Sequence, residues 1–192
     1  MTKAELRKTY ISRQKDLSPA DRAEKSRAIA GQFFQHFDLS RTRFIHCFIP
    51  IEKFNEIDTK FIFERLWSGH PRTEAVVPRV DFETNEIRNL RFDPTTELKR
   101  NTWHIDEPEH DEFVESDKID IVLVPGSCFD LEGHRVGYGK GFYDRFLKTC
   151  RPDCLKIGLS YFEPVEAIDD IHDGDVALDF VITPERVIKL RP

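Results

Sequence analysis

The chain has 192 residues, 39% hydrophobic and 33% charged, the size and composition of one globular domain with enough apolar material for one sizeable core. Sixteen Phe exclude a disordered chain, and no run approaches the roughly 20 apolar residues that span a bilayer. The net charge of -6 speaks against broad nucleic-acid binding.

The first ten residues, MTKAELRKTY, are charged and lack the apolar centre of a signal peptide. The charge is uneven: residues 1–43 carry a net +5 and the remainder -11. Cys47, Cys128, Cys150 and Cys154 form no CxxC pair and no zinc spacing. Free thiols in a reducing, cytoplasmic compartment are the expectation, and a monomer is expected.

Thr2 and Glu5 make a capping box that opens a helix to about Lys15, with Lys3, Arg7, Tyr10 and Gln14 on one face. Ser18-Pro19 starts a second helix. Its apolar stripe is Ala23, Ile29, Ala30, Phe33, Phe34 and Phe37. Arg43–Ile49 reads as a buried strand ending at Pro50. A loop with Glu52, Asn55 and Glu56 follows. Asp58 is the expected cap of a helix to about Ser68, with Gly69 as its stop. Glu74–Pro78 is the next strand, and Val80–Phe82 with Ile87–Phe92 predict a hairpin. Residues 93–117 lack periodicity and read as a long loop, in which Trp103 is a candidate stacking platform. Asp120–Pro125 is the clearest buried strand. A glycine-rich stretch, 126–141, leads into a helix over Gly141–Lys148. Leu155–Ser160 and Phe180–Thr183 complete the strands. Strands alternating with helices predict an α/β fold: one three-layer domain over residues 1–192, with a central, mainly parallel sheet flanked by helices.

The chemistry concentrates in Pro125–Arg145. This segment follows a buried strand and precedes a helix, where open α/β sheets bind ligands. Gly133, Gly137, Gly139 and Gly141 permit close backbone approach, and successive N–H groups at a helix start suit a phosphate. Arg135 and Lys140 add positive charge. The spacing is neither a Walker A loop nor a Rossmann fingerprint, so it points to anion binding without naming a nucleotide class. Asp144 reads equally as a magnesium ligand beside phosphates or as a first-turn acid favoured by the helix dipole. Asp179 alone is an acid leading into a strand. His104, His110 and His172 sit in acidic loops and read as surface residues. Cys128 reads as packing.

Gly133-His-Arg-Val-Gly-Tyr-Gly-Lys-Gly-Phe-Tyr-Asp144, with Val124-Pro125 and Phe129-Asp130 upstream, resembles the signature of the 5-formyltetrahydrofolate cyclo-ligase family. Lys3-Ala-Glu-Leu-Arg7, Glu56-Ile-Asp-Thr59, Val77-Pro-Arg-Val80, Trp103–Pro108 and Asp179–Pro184 follow in the family's order, so the resemblance runs over nearly the whole chain. Two departures are His104, where many relatives have Gly, and the charged Ile51–Asn55 segment. The resemblance implies an α/β ligase that uses ATP and Mg²⁺ to cyclise 5-formyltetrahydrofolate to 5,10-methenyltetrahydrofolate. In that scheme the formyl oxygen is phosphorylated, N10 attacks, and ADP and phosphate leave. It further implies that Lys140 and Arg135 are catalytic. Lys3, Arg7, Arg135, Gly137, Tyr138, Gly139, Lys140, Gly141, Phe142 and Tyr143 would bind ATP. Ile51 and Glu56, with Tyr138 to Phe142, would border the folate. Asp144 and Asp179 would hold the metal. The scheme needs no side-chain nucleophile, and the sequence offers no nucleophile signature. A different enzyme on a similar scaffold, such as a sugar-phosphate isomerase or CoA transferase, or a non-catalytic nucleotide- or folate-binding relative, are the competing readings.

Overall fold

The computed structural model describes residues 1–101 and 105–190. Trp103 and His104 lie outside the described residues. Helix α1 (Lys3–Asp16) opens on the expected capping box and buries Leu6, Tyr10 and Gln14. Helix α2 (Pro19–His36) starts at the Ser18 cap and buries Ile29, Ala30 and Phe33. Ala23, Phe34 and Phe37 of the expected stripe are only half-buried. Strand β1 (Phe44–Cys47) is buried throughout. A 3₁₀ turn at Glu52–Phe54 ends on Asn55 in the left-handed region.

At the start of helix α3 (Lys60–Gly69) the Asp58 carboxylate accepts the Lys60 N–H at 3.3 Å. Thr59 takes the cap position, but its hydroxyl donates to Phe48 O instead of capping. Gly69 ends inside the helix and His70 is the C-cap. Strands β2 (Glu74–Asp81) and β3 (Glu86–Phe92) form the expected hairpin, with Asn85 left-handed at the turn.

Residues 93–117 are not a featureless loop. They contain β4 (Leu98–Arg100), β5 (Asp106–Pro108) and β6 (Phe113–Val114). Strand β4 is exposed along its length, so no alternating apolar pattern marks it. A bidentate Arg100–Asp106 pair holds the β4–β5 hairpin, both bonds at 2.9 Å. Strand β7 (Ile121–Val124) is fully buried. The glycine-rich stretch holds a second short hairpin, β8 (Cys128–Phe129) with β9 (Arg135–Val136). Helix α4 (Phe142–Thr149), β10 (Leu155–Leu159), β11 (Phe180–Ile182) and β12 (Val187–Lys189) finish the chain. The last of these, three residues long, has no sequence signal of its own.

The main sheet has the order β12-β11-β10-β7-β1-β2-β3-β6. The central pairings, from β11 through β2, are parallel, and the flanking ones are antiparallel. Helices α2 and α3 cover one face, where Ile29, Phe33, Ile62 and Leu66 meet Ile45, Cys47, Leu123 and Ile157. Helix α4 and the β8–β9 hairpin cover the other, where Phe129, Phe146 and Leu147 meet Val122, Val124 and Val181. A smaller cluster of Leu6, Tyr10, Cys128 and Val136 seats α1 on the hairpin.

The ring of Phe129 lies directly on the backbone of Gly126 and Gly158. A methyl group at Gly158, in a central strand, would sit well inside van der Waals contact of that ring. Gly158→Ala is therefore expected to lower stability by about 1–3 kcal/mol through overpacking, read as a drop in the urea midpoint. Combined with Phe129→Leu, which vacates the space, the loss should be smaller than the sum of the two single losses.

Candidate active site

The carboxyl ends of β1, β7 and β10 lie at one edge of the sheet because all three run parallel. The 3₁₀ turn and Glu56 follow β1, the β8–β9 hairpin follows β7, and Tyr161 follows β10. Two groups of polar residues form there.

The first surrounds Glu56. This side chain is buried at 4% exposure. Its carboxylate accepts the Tyr138 hydroxyl at 2.5 Å and the Ile51 N–H at 2.6 Å. Its backbone carbonyl accepts from Arg22 Nε at 2.7 Å and the Tyr161 hydroxyl at 2.9 Å. Burial pushes the Glu56 pKa up to about 7, against the opposing pull of the Tyr138 hydroxyl, the Ile51 N–H and the Arg22 charge. Phe54 stacks on Tyr138 at 4.4 Å between centroids. A buried carboxylate poised near neutrality beneath a flat aromatic pair suits a planar ligand that offers N–H donors.

The second group gathers charges from three segments. The Lys3 ammonium pairs with Asp175. Arg135, 9% exposed, pairs with Asp144 at 3.0 Å. Asp144 also accepts the N–H of Val176, the residue after Asp175, at 3.1 Å. Burial lowers the Arg135 pKa, and the charges of Asp144 and Asp175 offset part of that. Arg7 donates from Nε to Gly137 O at 2.6 Å and so ties α1 to the glycine loop.

Lys140 is exposed, and its ammonium has no ion-pair partner among the described residues. It stands between Gly139 (φ 89°) and Gly141 (φ 67°). Both conformations favour glycine, and they turn the loop directly into the first turn of α4. No side chain caps that helix, whose N-terminal N–H groups and dipole favour an anion. Phe142 packs edge-on against Phe82, 5.8 Å between centroids. The Tyr143 hydroxyl contacts His46 Nε2 at 3.1 Å.

Asp179 does not join this arrangement. Its carboxylate accepts the Lys156 N–H at 2.7 Å, at the start of β10. That is the amino edge of the parallel strands, whereas the glycine loop leaves from the carboxyl edge. The acid beside this arrangement is Asp175, which pairs with Lys3 and precedes the Val176 N–H that Asp144 accepts; it lies inside the acidic run 169–175, where periodicity carries no information. Arg22 and Tyr161 were also missed, since only tertiary packing brings them to Glu56; Phe54 is local to Glu56, but its stacking on Tyr138 is not readable from spacing.

Asp144 and Asp175 together are hard oxygen donors beside a phosphate-suited loop, a set that fits Mg²⁺, which commonly takes one or two carboxylates and completes its shell with phosphate oxygens and water. Among the described residues, no cluster of three His, Cys, Asp or Glu forms a cage. No described helix is long and apolar enough to cross a membrane.

Fold and site define an α/β protein with a glycine loop suited to an anion, set beside the buried carboxylate of Glu56. Residues 1–184 match the 5-formyltetrahydrofolate cyclo-ligase family. The chain is 26% identical over 179 residues to the 5-formyltetrahydrofolate cyclo-ligase of Escherichia coli K12, covering 91% of this chain and 96% of the relative. It is 25% identical over 210 residues to the mitochondrial 5-formyltetrahydrofolate cyclo-ligase of Arabidopsis thaliana, covering 97% and 76%. The solved structure of Aquifex aeolicus 5,10-methenyltetrahydrofolate synthetase superposes with a TM-score of 0.84 at 31% identity, covering 100% of this chain and 94% of that one. The synthetase of Mycoplasma pneumoniae gives 0.75 at 27% identity, covering 96% and 99%. The chain belongs to the 5-formyltetrahydrofolate cyclo-ligase family.

Glu56 has a folded-state pKa above its ordinary value of 4.5. Between 4.5 and about 7 the folded chain therefore holds a proton that the unfolded chain has lost. Relative to Glu56→Gln, the wild type should lose stability as pH rises through that window, with no change in the difference below it. Thermal melts across pH check this. A wild type that instead gains stability over Glu56→Gln as pH rises through that window would show that burial does not control this group.

Proposed function

We propose that this protein cyclises 5-formyltetrahydrofolate to 5,10-methenyltetrahydrofolate with hydrolysis of ATP to ADP and phosphate. The observation that carries the reading is the pairing of the Glu56 pocket with the Lys140 loop at one sheet edge, in a chain of this family. An amide-like formyl oxygen is a poor leaving group. Transfer of the terminal phosphoryl group to that oxygen makes it a good one. N10 then attacks the formyl carbon, the C–O bond breaks, phosphate departs, and N10 gives up its proton. No protein nucleophile enters. The protein's work is to align two ligands and to meet phosphoryl charge.

Glu56, in its ionised form, would accept N–H groups of the pterin, taking the place of the Tyr138 hydroxyl that it holds at 2.5 Å. Phe54 and Tyr138 give the flat surface. Lys140, with the N–H groups of 139–143, would meet the phosphates, and Lys3 and Arg7 would approach them from α1. Arg135 is best placed to hold Asp144 in position from its buried site. Asp144 and Asp175 would hold a magnesium ion, which when bound offsets phosphate charge. The reading includes a single domain acting as a monomer in the cytoplasm.

The direct test mixes purified protein with 5-formyltetrahydrofolate and MgATP and follows the near-ultraviolet absorbance of the methenyl product, with ATP or Mg²⁺ omitted as controls. A rise that needs both supports the reading, and a flat trace from folded protein sinks it. Lys140→Ala should lower kcat/KM for ATP by about 10²-fold with an unchanged melting temperature, because the side chain is exposed and unpaired. Undiminished activity would remove Lys140 from the phosphate site. Asp175→Asn should raise the Mg²⁺ concentration needed for half-maximal rate. Asp179→Ala should leave that concentration alone and lower the melting temperature, since the Asp179 carboxylate holds the Lys156 backbone N–H. The reverse result would restore Asp179 as the ligand.

A further inference from the structure

His46 is fully buried on the central strand β1, beside neither charged group of the site. Its ring lies 4.7 Å from Phe146 between centroids. Its Nδ1 is 2.7 Å from Asn89 Oδ1 and its Nε2 is 3.1 Å from the Tyr143 hydroxyl. The protons along this chain are fixed by elimination. Val114 O is a carbonyl and can only accept, so the Asn89 amide must present Nδ2 to it, at 3.3 Å. Asn89 Oδ1 then faces His46 and can only accept, so Nδ1 carries the ring proton. Burial lowers the His46 pKa to about 4, so the ring is neutral near pH 7 and Nε2 is a bare lone pair. The Tyr143 hydroxyl must donate to it.

We propose that His46 is a positioning residue for the cyclisation: by taking the Tyr143 hydroxyl proton, it leaves the Tyr143 oxygen to accept from an N–H of the folate and withholds it as a donor to the phosphates of ATP. The proposal rests on the cyclo-ligase reading above. Its chemistry follows from what each substrate offers. Phosphate oxygens at neutral pH need donors, whereas the folate presents N–H groups, N10 among them. The hydroxyl has no other hydrogen-bond partner among the described residues, so its acceptor capacity is unspent.

The first test is spectroscopic and reads the wild-type ring itself. Nitrogen-15 NMR of the imidazole, with the resonance assigned by its loss in His46→Gln, should find Nδ1 protonated and Nε2 bare. The opposite tautomer, or an imidazolium at pH 7, overturns the proposal. The second test is kinetic. A Gln amide carries a donor and an acceptor, so His46→Gln should retain kcat within about threefold, whereas His46→Leu should lose about tenfold, the scale of one hydrogen bond, with KM for ATP unchanged. In a Tyr143→Phe background, His46→Leu should cost nothing further. An equal additional loss there means His46 acts on packing alone and overturns the role. A wild type that has the expected tautomer but no cyclo-ligase turnover overturns the functional reading and this role together. The wrong tautomer in an active enzyme overturns this role alone.

Discussion

The site depends on how closely the β8–β9 hairpin lies on the sheet. Phe129 is wholly buried, and its ring rests on Gly126 and Gly158 because neither has a side chain to hold it off. Around that contact the hairpin is fastened by backbone bonds: Val165 N to Phe129 O at 2.8 Å, Leu131 N to Val165 O at 3.2 Å and Leu178 N to Gly133 O at 2.9 Å. These bonds satisfy groups that a surface loop would leave to water. They also set where Arg135, Gly137 and Tyr138 stand. A ring raised by the thickness of a methyl group would lift Arg135 from Asp144 and Tyr138 from Glu56 together.

The site is internally neutralised. Lys3 faces Asp175, Arg135 faces Asp144, and the Tyr138 hydroxyl fills one acceptor of Glu56. Each partner lies on a different segment, so one ion pair clasps α1 to the 169–176 segment and the other clasps the hairpin to α4. The two pairs differ in character. The Lys3–Asp175 pair is partly accessible, at 14% and 20% side-chain exposure. Arg135 is at 6%, so removing Asp144 would leave a buried cation uncompensated, the costly way to break such a pair. Lys140 has no ion-pair partner among the described residues, and it stands between two glycines of positive φ.

The sequence made the architecture legible where burial is one-sided and regular. Both capped helices, α1 and α2, begin where Thr2 and Ser18 place them, and the buried strands β1 and β7 lie within their apolar runs. It failed where polar chemistry replaces apolar periodicity. Strands β4 and β5 are held by an exposed Arg–Asp pair and show no alternating burial. Asp58 accepts the Lys60 N–H at the start of α3 as its spacing suggests, whereas the Thr59 hydroxyl meets Phe48 O, a tertiary partner invisible to local spacing. The glycine loop was readable because its glycines and charged residues are contiguous in the chain. Asp175 was not, because its partner Lys3 is 172 residues away, and an acidic run gives no means of choosing among its members.

His46 belongs to the same class of long-range information, with one difference. An apolar strand with a lone histidine reads as core, and the side chain is indeed core by burial. What the structure adds is direction. A carbonyl at Val114 fixes an amide at Asn89, which fixes a tautomer at His46, which fixes a hydroxyl at Tyr143. Three of these four residues lie on strands of the main sheet, β1, β3 and β6, so the orientation of one proton is built on its most rigid elements. Only the last residue stands on the loop-to-helix junction, where the ligands must be met. A site that contributes alignment in place of a nucleophile depends on such fixed orientations, because a hydroxyl free to rotate would offer a donor and an acceptor to both substrates alike.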